Sequence, residues 1–193
     1  MSYQIKELLL HDGGSPFAEW FGSLEAVAAA KVRVAVSRLE QGNLPKLEWF
    51  RGIGEYKIDW GPGLRIYLAK DGLKIIILII NQARKVNMAL TRDFKETVAA
   101  RVQNDPAFAQ ALLDEAITLF VNGEPESAKL ILRDLVNATV GFEALAEEIH
   151  KPAKSLHRML SQSGNPTMSN ISAVFAAIKR ELKVEVHTKI KMA

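Results

Sequence analysis

Cysteine is missing from all 193 residues. That excludes disulfides, thiolate nucleophiles and cysteine zinc sites, and it suits a reducing cytoplasm. Histidine is scarce. His11, His150, His157 and His187 show no metal-ligand spacing with carboxylates, so neither a metal nor a cofactor is expected. Long apolar runs are also lacking, and none approaches the roughly 20 residues of a membrane span. The stretch Met1–Leu10 contains Lys6 and Glu7 and lacks the apolar centre of a secretory signal. The expected setting is the cytoplasm, with no membrane partner. Enzymatic constellations are thin as well. Asp114-Glu115 and Glu147-Glu148 are adjacent pairs, and neighbours on a helix do not face one another. Gly52-Ile53-Gly54 has neither the length nor the lysine of a phosphate loop, and no serine or threonine sits in a nucleophile elbow.

What is present is a change of rhythm at Met88. Before it lies the apolar run Leu73–Ile80 and then the polar stretch 81–87, and after it comes a series of amphipathic helices. Segments of 87 and 106 residues are close to the size at which a lone core is marginal, so each is expected to lean on the other or on a second copy. Charge divides unevenly. Residues 1–87 hold 12 Lys and Arg against 9 Asp and Glu, whereas residues 88–193 hold 13 of each. From Ile149 to Arg180 there are five basic side chains (Lys151, Lys154, Arg158, Lys179 and Arg180) and no acidic one. A local basic stripe in a neutral segment is a footprint of nucleic-acid contact, although charge runs also occur as plain solvated faces.

In the first segment, Ser15-Pro16 predicts an N-cap and first helical residue for a short helix through Phe21. Residues 25–41 carry small or apolar residues at 28, 32, 35, 36 and 39, a helical stripe ended by Gly42-Asn43 and Pro45. A β-meander follows. Tyr56, Ile58 and Trp60 alternate onto one face, Gly61-Pro62-Gly63 turns, Leu64–Leu68 alternates again, and Asp71-Gly72 marks a hairpin. A three-residue turn pairs Trp60 with Leu64, Ile58 with Ile66 and Tyr56 with Leu68. The other face then brings Asp59 near Arg65 and Lys57 near Tyr67. That face fits two readings: a solvated cross-strand ion pair, or a basic and aromatic surface for RNA. The run from Leu73, apolar on both faces, belongs in the middle of a sheet.

Phe17–Leu24, Lys31–Asn43 and Gly52–Gly72, above all Gly61-Pro62-Gly63-x-Arg65-x-Tyr67, resemble the RelE/HigB-type toxins, the addiction module killer proteins. The resemblance implies a small α/β ribonuclease that cuts mRNA, often on the ribosome, without a metal. Lys57, Arg65 and Tyr67 would be the catalytic candidates. The family continues past the last strand into a Gly-Gly segment and a closing helix that helps form the active site. Here the strand runs instead into residues 81–87 and the second start, which implies a toxin segment lacking its terminal piece.

In the second segment, Thr91 predicts the cap of a helix to Gln103, and Asp105-Pro106 opens the next one, to Asn122 and Gly123. Pro125 opens a third. Val184, Val186, Thr188 and Ile190 alternate with polar residues, and that tail suits a strand that joins a sheet or a second copy. The stretch Phe142–Leu160 reads as a helix-turn-helix. Leu145, Ile149, Leu156 and Met159 pack inward, Ala146 is small at the crossing, Pro152 starts the second helix, and His150 takes the turn position where glycine is usual. Lys154, Ser155, His157 and Arg158 then face outward, suited to a major groove. A plain helical hairpin is the competing reading. Gly164-Asn165-Pro166-Thr167 leads into a helix from Ser169 to Leu182, whose free N–H groups suit a DNA phosphate or a simple cap.

From Met88 to about Val186 the chain resembles the HigA-like addiction module antidote proteins. The matching strings are Met88–Thr97, Asp105–Phe108, Leu112–Ala116, Leu132–Thr139, Lys154–Leu160 and Gly164–Thr167. The resemblance implies a λ-repressor-like fold that forms a homodimer, binds operator DNA upstream of its own operon and neutralises a toxin.

The expected architecture is therefore α+β. A RelE-like helix-plus-antiparallel-sheet segment (1–80) and a linker (81–87) precede an all-α λ-repressor-like segment (88–193), with the helix-turn-helix at about 142–161. The expected function is DNA binding and transcriptional autorepression within a toxin–antitoxin system, through Lys151, Lys154, Ser155, His157, Arg158, Asn165 and Thr167. The alternative is a self-inhibited mRNA endoribonuclease. Partners would be operator DNA, a second copy, and RNA, the ribosome or a separate toxin.

Overall fold

The computed structural model describes residues 2–43, 47–50, 52–61, 63–78 and 90–187. The chain is α+β. Its elements run β1 (Gln4–Leu8), α1 (Pro16–Ser23), α2 (Ala26–Glu40), β2 (Leu47–Phe50), β3 (Ile53–Ile58), β4 (Leu64–Asp71), β5 (Lys74–Leu78), β6 (Thr91–Asp93), α3 (Phe94–Asn104), α4 (Pro106–Val121), α5 (Pro125–Ala138), α6 (Phe142–Glu148), α7 (Ala153–Met159) and α8 (Met168–Leu182).

Local chemistry sets most boundaries. The Ser15 hydroxyl accepts from Ala18 N–H to cap α1, with Pro16 first in the helix. Asp105 caps α4 in the same way, followed by Pro106. Gly42 and Gly123, both at positive φ, follow the ends of α2 and α4. The stripe at residues 28, 32, 35, 36 and 39 is buried.

The strands form one six-stranded sheet in the order β2-β3-β4-β5-β1-β6. The doubly apolar β5 lies inside it, as a strand without a polar face must. The sheet is mixed rather than antiparallel throughout, because β1 lies parallel to β5, pairing Ile5 with Ile75. The β3–β4 register also departs from the expected one by two residues. Ile58 pairs with Leu64, Lys57 with Arg65, Tyr56 with Ile66 and Glu55 with Tyr67. The strands part after Ile58, and the Gly63 N–H reaches the Trp60 carbonyl at 3.0 Å, so the turn is wider than three residues. A slip of two keeps every side chain on its face, and Tyr56, Ile58, Ile66 and Leu68 are all buried.

Thr91 does not cap a helix. Residues 91–93 form β6, which pairs antiparallel with the outer edge of β1, and Asp93 caps α3 by accepting from Lys95 N–H. Backbone pairing with β1 is worth more here than an earlier helix start. The tail shows no strand over residues 184–187, while Thr188 and Ile190 lie outside the described residues, as do Pro45 and the linker expected at 81–87.

The helices of residues 94–182 do not form a separate body. One buried cluster contains α1, α2, the inner sheet face and α3 to α8. At the seam the Phe94 ring meets Phe17 and Phe21 edge-on, with centroids 5.5 and 5.6 Å apart, and Phe108 meets Phe21 at 5.5 Å. Such pairs each add about 0.5–1.5 kcal/mol beyond the burial of their area. The Arg101 guanidinium lies 4.7 Å over the Phe108 ring and donates to the carbonyls of Phe21 and Leu24, near the end of α1.

Charge is complementary across the seam. Lys6 pairs with Asp93 (3.2 Å), Lys31 with Glu115 (2.6 Å), Arg33 with Asp134 (2.6 Å) and Arg38 with Glu124 (2.8 Å). Arg92 runs the other way, to the buried Glu7 at 2.9 Å, which also accepts from the Ser15 hydroxyl at 2.7 Å. Arg33 is fully buried, with Glu40 of its own helix as second partner at 3.4 Å. Burial alone pulls its pKa down, but the Asp134 and Glu40 carboxylates outweigh this and hold it above the ordinary value. Burial pushes the Glu40 carboxyl up, against the pull of Arg33, and the Asp134 charge pushes it further. Burial is the largest of these influences, so Glu40 stands above its ordinary value.

Candidate nucleic-acid interface

α6 and α7 are two short helices joined by a tight turn. His150 has φ 52°. Its N–H reaches the Glu147 carbonyl at 3.3 Å, and the Lys151 N–H reaches the Ala146 carbonyl at 3.0 Å. That is a Schellman ending with histidine in the left-handed position usually held by glycine. Pro152 stands at the N-cap rather than inside α7, which begins at Ala153. Leu145, Ala146, Leu156 and Leu160 are buried, while Ile149 and Met159 pack partly buried against the core. The inward set is as expected.

The outward set is only partly so. Lys151, Lys154 and Arg158 are exposed, Ser155 is half-buried, and among the described residues none of the three cations has a carboxylate within ion-pair distance. His157 does not face outward. Its ring lies flat on Phe142, with centroids 3.8 Å apart and planes at 17°. The apolar ring of α6 offers the imidazole more contact than solvent does. Arg133 of α5 approaches the same Phe142 ring at 6.0 Å and donates to the His157 carbonyl at 3.3 Å, fixing the last turn of α7 to the core.

Asn165 and Thr167 are exposed on the loop before α8. The Thr167 hydroxyl caps α8 by accepting from Asn170 N–H at 3.3 Å. The basic stripe is less uniform in space than in sequence, because Arg180 of α8 pairs with Glu148 of α6. Among the described residues, Lys151, Lys154 and Arg158 are exposed cations of α7 and the turn before it without a carboxylate within ion-pair distance.

The second candidate surface lies on the outer sheet face, opposite the core. Lys57, Arg65 and Tyr67 come together there, but each is engaged. Lys57 donates to Glu48 at 2.8 Å, and that bond raises the lysine and lowers the carboxyl. Arg65 pairs with Glu55 at 3.2 Å. The Tyr67 phenol is raised, first by burial and then by its bond to Glu55 and the charge of that carboxylate. The expected closeness of Asp59 to Arg65 rested on the narrower turn. In the observed register Arg65 stands opposite Lys57, and it takes its carboxylate from Glu55 on the neighbouring strand. Among the described residues no group of His, Asp and Glu side chains could hold a metal ion, and no helix is long and apolar enough to cross a membrane.

Two side chains of this region carry no signal in the sequence: Arg133, and Lys129 one turn before it on α5. Both read as ordinary solvated positions of an amphipathic helix. Only the packing of α7 and the loop after it onto α5 gives them backbone carbonyls to bind.

Comparison with family models, with curated proteins and with solved structures finds no match to this chain.

Proposed function

We propose that this chain is a toxin–antitoxin protein whose working activity is sequence-specific DNA binding through α7, with repression of its own operon. One observation carries the reading: a helix-turn-helix closed by a Schellman turn presents Lys151, Lys154 and Arg158 to solvent without a competing carboxylate among the described residues. Arg158 and Lys154 lie one turn apart on α7, so they occupy one side of a helix of groove-filling width. Ser155, half-buried and next to Lys154 in α7, adds a hydroxyl, and Asn165 and Thr167 supply neutral donors to a neighbouring phosphate. A homodimer would present two copies of α7 to half-sites about one helical turn of DNA apart.

Toxin neutralisation is read as internal. The face of α2 is covered by α4 and α5, with complementary charge along the rim. The ribonuclease alternative has no comparable support, because Lys57 and Arg65 each rest on a carboxylate instead of standing open to a phosphate.

The test is retention of the DNA immediately upstream of the coding sequence in a gel shift at fixed salt. Lys154→Ala with Arg158→Ala is expected to abolish retention, each contact contributing about 1–3 kcal/mol. Normal binding by the double variant would remove these residues from the interface.

A further inference from the structure

Lysine is almost never fully buried unless it is paired, and Lys129 is only 4% exposed. Its ammonium donates to the carbonyl oxygens of Gln162 (3.3 Å) and Gly164, while the nearest carboxylate, Glu126, stands at 3.9 Å. The group therefore gives its hydrogen bonds chiefly to the backbone of the loop joining α7 to α8. That loop has little hydrophobic reason to stay in place, since Gln162, Ser163 and Asn165 are exposed. An open cleft of about 390 Å³ lies between it and the end of α4 and start of α5.

Gly164 meets the same constraint from the other side. A Cβ there would overlap the carbonyl oxygens of Arg158 and Met159, so the loop folds tightly onto the last turn of α7. Arg133, four residues after Lys129 and on the same side of α5, grips the His157 carbonyl at 3.3 Å. Two cations of one core helix thus hold the end of α7 and the loop that follows it.

We infer that Lys129 is a positioning residue for the DNA interface: its buried ammonium fixes the 162–164 turn and so sets Asn165 and Thr167 at a defined place beside α7. The inference rests on the DNA-binding reading for its function, and on the hydrogen bonds alone for its geometry. Lys129 itself is too buried to touch a phosphate. It therefore contributes to affinity without contributing a released counterion, in contrast to Arg158.

The test compares full-length wild type, Lys129→Met, Lys129→Arg and Arg158→Ala. Binding to a duplex of the upstream DNA is followed by fluorescence anisotropy across a salt series, and backbone amide exchange by mass spectrometry. Lys129→Met is expected to bind about tenfold more weakly, with the salt slope of the wild type, while Arg158→Ala lowers that slope by about one. Lys129→Arg, which restores a cationic donor, recovers part of the affinity. In Lys129→Met the amides around Gly164 lose protection while those of α3 to α5 keep theirs. Three results overturn the inference: affinity within about twofold of wild type, a slope that falls as for Arg158→Ala, or a Lys129→Met protein that does not fold, which makes Lys129 a core requirement. If the wild type shows no preference for the upstream duplex, the DNA-binding reading fails by itself. Undisturbed protection around Gly164 in Lys129→Met overturns the proposed lock in either case.

Discussion

Two arginines of this molecule meet opposite surroundings. Arg33 sits in the seam between α2 and α5, fully buried, between Asp134 and Glu40. Arg158 sits on α7, exposed, on a side of the helix free of carboxylate partners among the described residues. The same guanidinium is structural in one place and available for a ligand in the other. What separates them is solvent. A buried cation must be neutralised by its own protein, whereas an exposed one waits for counter-charge from outside. The seam pairs its buried charges with partners of the same chain, whereas Lys151, Lys154 and Arg158 have no carboxylate within ion-pair distance among the described residues.

The largest stability effects belong to the seam. Phe94→Ala removes a ring in contact with Phe17 and Phe21 and is expected to cost about 3–5 kcal/mol in urea unfolding. Asp134→Ala leaves the buried Arg33 with only the more distant Glu40 carboxylate, and about 3–5 kcal/mol is again expected. A loss below about 1 kcal/mol for both would mean that the two segments do not share a core in solution.

On α7, Lys154→Ala with Arg158→Ala should leave unfolding within about 0.5 kcal/mol of wild type while DNA retention disappears. A large change in stability would place these side chains in the scaffold and erase the contrast with Arg33.

A smaller effect sharpens the seam side. Glu40 is raised above its ordinary 4.5 in the folded chain. Between that value and its folded pKa the native state holds more protons than the unfolded one, so this group makes stability fall as pH rises. Glu40→Gln removes the contribution. Its stability relative to wild type should therefore increase with pH above about 4.5 and level off beyond the folded pKa, as read from melting temperatures across a pH series. A flat difference would show that Glu40 titrates normally. The smallest expected change is at the turn. His150→Gly places glycine at the left-handed φ of 52° and should alter stability by no more than about 1 kcal/mol, with DNA binding unchanged.

Much of the local structure was legible in the residues. Ser15-Pro16, Asp105-Pro106 and Pro125 opened helices where they stand, because a cap and a pre-set φ act within one turn. The inward positions of α6 and α7 followed from spacing, and even the two-residue slip between β3 and β4 kept each side chain on its face. Other features were not legible. The histidine ring on Phe142 could not be read from an outward-facing spacing, because stacking depends on how α6 and α7 cross. Lys129 looked like any solvated lysine until the 162–164 turn folded over it.

Short-range chemistry, then, determined the elements: where helices begin, which faces are apolar, and which helix carries an acid-free basic stretch. The tertiary structure decided which charges are spent. Pairing Lys31, Arg33 and Arg38 with Glu115, Asp134 and Glu124, and adding β6 to the edge of β1, join residues some 80 to 100 positions apart in the chain. No local pattern encodes such contacts, since they depend on which surfaces exclude water together. The open cations of α7 are those left over once that exclusion is complete.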